Sequence, residues 1–78
     1  MHTPIHPGEI LADELEEIGL NAVQFAKLID VPSNYIDKIL SGERNINTEM
    51  ALRFSRYFGT SVDFWENLQK LYEQDKTA

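Results

Sequence analysis

The 78-residue chain contains no cysteine, so neither a disulfide framework nor a thiolate zinc site is open to it. It has no long apolar run, which excludes a membrane-spanning helix, and no signal-peptide pattern opens it; the expected compartment is the cytoplasm. Basic residues are scarce: 7 Lys and Arg stand against 13 Asp and Glu, for a formal net charge of −6. A chain with that balance, taken as a whole, repels a phosphate backbone. There is no glycine-rich phosphate loop and no nucleophile–base constellation. Glu14, Glu16 and Glu17 have nothing around them large enough to form a substrate cleft. Catalysis and a cofactor are therefore not expected. His2 and His6 stand four apart in a stretch read as unstructured, without a well-placed third ligand, and no metal site is expected.

What the chain does have is helical periodicity, with no strand signal. A single domain over residues 1–78 is expected, ordered from about 5 to 73, with a modest core of the size that a partner subunit often supports. His6-Pro7-Gly8-Glu9 opens a first helix, with Pro7 in its first turn and Glu9 favourably placed against the helix dipole. Ile10, Leu11, Leu15 and Ile18 follow at helical spacing, and Gly19 is a natural stop. Asn21 caps a second helix whose apolar positions are Val23, Phe25, Ala26, Leu28 and Ile29. A sharp break follows, in which Asp30 takes the position that often requires a left-handed backbone. A third helix starts at Pro32, with Ile36, Ile39 and Leu40 on one face, and stops at Ser41-Gly42. Asn47 or Thr48 caps a fourth, with Met50, Ala51, Phe54, Tyr57 and Phe58 inward and Gly59 at its end. Thr60-Ser61 caps a fifth carrying Phe64, Trp65, Leu68, Leu71 and Tyr72, and Gln74 to Ala78 is expected to fray.

Residues 21–41 carry the functional signal. Two helices this short can bury their stripes only against each other and further helices, so the turn between them fixes a crossing angle. That is the helix-turn-helix arrangement, in which the second helix offers its polar residues to the major groove. Charge is distributed to match: residues 1–32 sum to −5, residues 33–58 to +1 and residues 59–78 to −2. On the third helix, Asn34 suits a bidentate contact to adenine, Lys38 reaches guanine or phosphate, and Ser33 reaches a base or the backbone. Tyr35 either donates its hydroxyl to a phosphate or packs on the surface. Arg44, in the loop after the helix, is placed as a phosphate clamp. Arg53 and Arg56, on a helix rich in core residues, are read as surface or salt-bridging groups. The acidic first third suits either a basic protein partner or simple solubility.

The fifth helix has a wider apolar stripe than one small bundle needs. Phe64 and Leu68 are expected in the core, and Trp65, Leu71 and Tyr72 are candidates for a two-fold interface. A dimer is also expected because one such unit reads too few base pairs.

Three stretches resemble the HigA/VapI antitoxins. His6-Pro7-Gly8-Glu9-Ile10-Leu11 is similar to that family's opening motif. Leu28 to Gly42, with Val31-Pro32 and the Ile36, Ile39, Leu40 core, resembles its Xre-type helix-turn-helix. Ala51-Leu52-Arg53, Arg56-Tyr57-Phe58-Gly59-Thr60-Ser61, Phe64-Trp65 and Asn67-Leu68-Gln69 are similar to its C-terminal signature. The resemblance spans roughly residues 5 to 72. It implies an all-α, compact five-helix bundle of the lambda-repressor-like kind. It further implies a homodimer that binds a palindromic operator and represses its own operon. The implied protein partner is a small basic toxin of the HigB/RelE-like class, an mRNA endonuclease. The chain departs from the family pattern at Ala22, Asp30, Tyr35 and Glu43, where Gln, Gly, Arg and Lys are common; each change lowers the positive charge or the number of hydrogen-bond donors on the DNA-facing side. Two rival readings are a stand-alone repressor of phage type and a protein-interaction module with little DNA binding.

Overall fold

A computed structural model describes residues 3–77 as five α-helices joined by short turns, with no strand among the described residues. They are α1 (Pro7–Ile18), α2 (Ala22–Leu28), α3 (Ser33–Leu40), α4 (Thr48–Phe58) and α5 (Val62–Thr77). Local chemistry sets nearly every boundary. Asn21 and Gln24 cap α2 reciprocally: the Gln24 N–H donates to Asn21 Oδ1 at 2.8 Å and the Asn21 N–H to Gln24 Oε1 at 2.9 Å. Asn47 Oδ1 accepts from the Met50 N–H at 2.8 Å, and Ser61 Oγ from the Phe64 N–H at 3.1 Å. Gly19 closes α1 in the left-handed region, φ 74°, with the Leu20 N–H returning to the Leu15 carbonyl at 3.0 Å. Helix α5 continues unbroken through Thr77, further than the frayed end expected from Gln74 onward. The Thr77 hydroxyl donates back to the Glu73 carbonyl at 3.0 Å. Pro32 sits one residue ahead of α3, at its cap, and not inside it.

The core gathers one face from each helix. Leu11, Phe25, Ile36, Ile39, Phe54 and Trp65 are wholly enclosed. Phe25 of α2 meets Phe54 and Phe58 of α4 at centroid distances of 5.6 and 5.4 Å, and Phe54 meets Trp65 of α5 edge-on at 5.1 Å. Removing any of these large side chains is worth several kcal/mol, about 3–5 for an aromatic.

Helical phase corrects several sequence expectations. Trp65, a candidate for the two-fold interface, is completely buried inside its own chain, and its indole N–H donates to Thr60 Oγ1 at 2.9 Å. Phe64, expected in the core, points outward and is 41% exposed. The two are adjacent in sequence and so about 100° apart around the helix; only one can face Phe54. Tyr72 is half-buried, its ring edge-on to His6 at 4.8 Å, so most of it serves an intrachain contact. Leu71 alone of the three interface candidates is clearly outward-facing. In α2, Val23 and Leu28 are likewise exposed, leaving Phe25, Ala26 and Ile29 to the core.

The amino end of α1 is the second departure. His2 lies outside the described residues, but His6 is no part of an unstructured tail: it is buried and caps α1. Its Nδ1 accepts from the Gly8 N–H at 2.9 Å, while the His6 N–H donates to Glu9 Oε2 at 3.1 Å. Gly8 packs so tightly against α3 that a Cβ there would overlap the Ile39 carbonyl. Burial pushes the His6 imidazole pKa below its ordinary value, against the opposing pull of the Asn45 side chain and the Glu9 carboxylate. The cap also requires Nδ1 without a proton. An unfolded chain therefore takes up the proton first as pH falls. The stability tied to His6 is complete above the ordinary histidine value of 6.5 and is lost as pH drops below it toward the native value. Thermal melts at about pH 7.5 and about pH 5.5 should show a larger fall in Tm for the wild type than for His6→Asn, which keeps a capping oxygen but does not titrate. Equal falls would remove His6 as the cause.

Candidate nucleic-acid interface

Helix α3 has two unlike faces. Ile36 and Ile39 are fully enclosed, and three residues on the other side, Asn34, Asp37 and Lys38, are exposed. Asn34 and Lys38 are four apart and therefore stack along one side, with Asp37 beside them. Ser33 and Tyr35 are half-buried at the start of the helix. The expected set Ser33, Asn34, Tyr35, Lys38 and Arg44 thus lies along one helix and the loop that follows it. Asp37, outside the expected contact set, shares the outer face; a carboxylate there is an acceptor suited to a cytosine amine.

Tyr35 and Arg44 form a unit. The Arg44 guanidinium carbon sits 3.9 Å above the centre of the Tyr35 ring, so the tyrosine serves as a platform that orients the charge. The loop beneath them is wound tightly: the Glu43 and Arg44 N–H groups both donate to the Lys38 carbonyl, at 2.9 and 3.1 Å, and Gly42 takes φ 83°. The same loop is tied to α5, where Gln69 Oε1 accepts from the Ile46 N–H at 2.8 Å. A cleft of about 220 Å³ runs beside it, walled by Pro32, Tyr35, Arg44, Asn47 and Arg53.

The turn ahead of α3 is set by backbone geometry. Asp30 adopts φ 60°, the one positive value outside glycine among the described residues. The N–H groups of Ile29, Asp30 and Val31 donate to the carbonyls of Phe25, Lys27 and Ala26, at 3.1, 3.3 and 3.0 Å, which closes the end of α2. No side-chain cap begins α3. Arg53, read from sequence as a surface or salt-bridging group, pairs with Glu49 at 3.5 Å and also reaches the turn: its Nη1 donates to the Ile29 carbonyl at 2.6 Å. Residues 24 apart in sequence leave no local trace of such a contact.

With this geometry the fold class is a helix-turn-helix domain, and comparisons with known proteins narrow it. A helix-turn-helix family model matches residues 11–65. Virulence-associated protein I of Dichelobacter nodosus is 44% identical over 80 residues, covering 95% of this chain and 74% of that protein; other curated relatives are longer, and the chain spans 59% of two of them. An addiction module antidote protein of the HigA family from Coxiella burnetii superposes with a TM-score of 0.90 at 46% identity, over 92% of this chain and 79% of that one. The Pseudomonas aeruginosa antitoxin HigA, solved with the higBA promoter, gives 0.93 at 41% identity, over 96% and 83%. The chain belongs to the helix-turn-helix family, in the group that holds the HigA antitoxins and virulence-associated protein I.

The strained turn can be probed directly. A left-handed backbone costs an ordinary L-residue about 1–2 kcal/mol, less for Asp, and nothing for Gly. Asp30→Gly should be neutral or stabilise the fold by up to about 1 kcal/mol, whereas Asp30→Val should cost more than about 1 kcal/mol. Urea midpoints measure both; a clear loss on Asp30→Gly would mean that the Asp side chain itself holds the turn.

Proposed function

We propose that this protein is an operator-binding antitoxin that represses its own operon as a dimer and neutralises a small basic toxin of the HigB/RelE-like class. The observation that carries the reading is the outer face of α3. There Asn34, Asp37 and Lys38 stand clear of the core directly after a closed turn, with Arg44 of the following loop folded back onto Tyr35 near the start of the helix. A relative 41% identical to this chain was solved with the higBA promoter, which supports a DNA-binding reading for this chain. Asn34 and Lys38 address bases, Ser33 a base or the backbone, and Arg44, steadied by Tyr35, a phosphate.

A palindromic operator requires two reading helices about 34 Å apart, hence two copies of the chain. Leu71, with Phe64 seven residues earlier on the same side of α5, offers outward apolar surface for that pairing. Trp65 and most of Tyr72 are already occupied within the chain. For the toxin, the exposed side of α1 presents Glu9, Asp13, Glu16 and Glu17, a surface complementary to a basic partner.

Electrophoretic mobility shift on the chain's own promoter is the test. A shift that weakens between about 50 mM and about 200 mM salt supports a DNA reader, and the shallow salt slope of a weakly charged interface is expected. Asn34→Ala should cost about 1–3 kcal/mol of discrimination at one base position. No shift at low salt would leave an interaction module, and co-purification with the product of an adjacent gene for a small basic protein tests the toxin half independently.

A further inference from the structure

We propose that Arg53 is a positioning residue for the reading helix. By holding the carbonyls of the α2–α3 turn it fixes the angle at which α3 leaves that turn. The claim rests on the operator-binding reading above, but its geometry is independent of DNA. Three N–H groups of the turn are used to close α2, and the Ile29 and Asp30 carbonyls face Arg53 of α4. Arg53 meets both, with Nη1 at 2.6 Å from the Ile29 oxygen and 3.5 Å from the Asp30 oxygen. The first distance is that of a short, charge-assisted bond.

The guanidinium Nε is removed from solvent and makes no hydrogen bond, and its nearest charge is the largely exposed Glu49, 3.5 Å away at Oε2 and one turn earlier on α4. The arginine also forms the shared wall between two clefts. One, of about 340 Å³, lies against Leu28, Asp30, Arg56 and Tyr57; the other is the cleft of Tyr35 and Arg44. Arg53 therefore lies between the turn and the Tyr35–Arg44 pair.

The turn needs an external hold for two reasons. Asp30 occupies a left-handed conformation that Gly would take without strain. Helix α3, eight residues long, starts without a side-chain cap, so the turn backbone sets where it begins. Below the turn Ile36 and Ile39, with Leu40 packed beside them, and the Gly8 contact at Ile39 seat α3 on the core, and all of these lie beyond the first turn of the helix. One guanidinium nitrogen, Nη1, bonded to the Ile29 carbonyl and close to that of Asp30, ties the turn to α4 and so limits the rotation of α3. A lysine at the same place carries the charge on a flexible stem and does not hold its nitrogen at a fixed angle.

Arg53→Met and Arg53→Lys, compared with the wild type, test this in two ways. In the free protein, amide chemical shifts should change in both variants at the α2–α3 turn and along α3 to Lys38, while those of α1 and the second half of α5 stay put. In binding, operator affinity should fall by about tenfold or more for Arg53→Met, equivalent to about 1.4 kcal/mol. Affinity for random duplex and the salt slope should be retained, because the phosphate contacts are not its own. Shift changes confined to residues around position 53, or unaltered discrimination between operator and random DNA, would overturn the proposal. Equal weakening on both duplexes with a slope reduced by about one would also overturn it, making Arg53 a direct phosphate contact. If Arg53→Met does not fold, Arg53→Lys carries the same readings. A wild type that fails to prefer its operator would sink the operator-binding reading while leaving the free-protein shifts to decide the role of Arg53.

Discussion

Gly8 lets the first turn of α1 rest on the backbone of α3 at Ile39, and this contact holds the reading helix from the side opposite its exposed face. A side chain at that position would push the two helices apart, and with them much of what surrounds the junction. His6 caps α1 there through Nδ1, its ring lies against Tyr72 of α5, and Gly42 of the loop after α3 passes beside it. The loop in turn carries Arg44. Displacing α1 from Ile39 would thus disturb the helix cap, the docking of α5 and the placement of Arg44 on Tyr35, without touching the exposed residues of α3.

Electrostatics explains why position matters so much in this chain. Overall charge opposes nucleic acid, and the segment from 33 to 58 is only slightly positive. Counterion release, which supplies most non-specific affinity, grows with the number of phosphates neutralised. A surface with one exposed Lys on its reading helix and one Arg in the following loop releases few ions. Under the proposed function, discrimination would then come mainly from well-aimed hydrogen bonds to base edges, and these tolerate little angular error. Arg44 stacked on Tyr35, α3 seated on Gly8 and the Arg53 bond to the turn would all reduce that error.

Features with local causes were legible in the sequence. The cap at Asn21, the stops at Gly19 and Gly59 and the left-handed Asp30 each follow from one residue's own chemistry; of the paired candidates Asn47 or Thr48 and Thr60-Ser61, the structure uses Asn47 and Ser61. Features set by distant partners were not. The sequence around Phe64-Trp65 offers two aromatic rings to one core position, and only the location of Phe54 on α4 decides between them. His6 looked like a stray histidine because the backbone it caps lies two residues ahead while the groups that bury it come from α3's loop and α5. Arg53 looked like a surface charge since its i,i+4 partner Glu49 is visible in sequence and the Ile29 carbonyl is not.

The burial of Trp65 has a consequence for assembly. With that ring committed to Phe54 and Phe58, the outward apolar surface of α5 is reduced to side chains such as Phe64 and Leu71, each worth about 1.5–3 kcal/mol when fully buried. Two copies pairing through so little surface must also offset the loss of independent motion. Under the proposed function such a pairing would be marginal in free solution and completed on the operator. There, two half-sites on one duplex hold the copies at high effective concentration. Dimerisation and reading would then be one linked equilibrium, in which a partner protein that occupied either surface would weaken both.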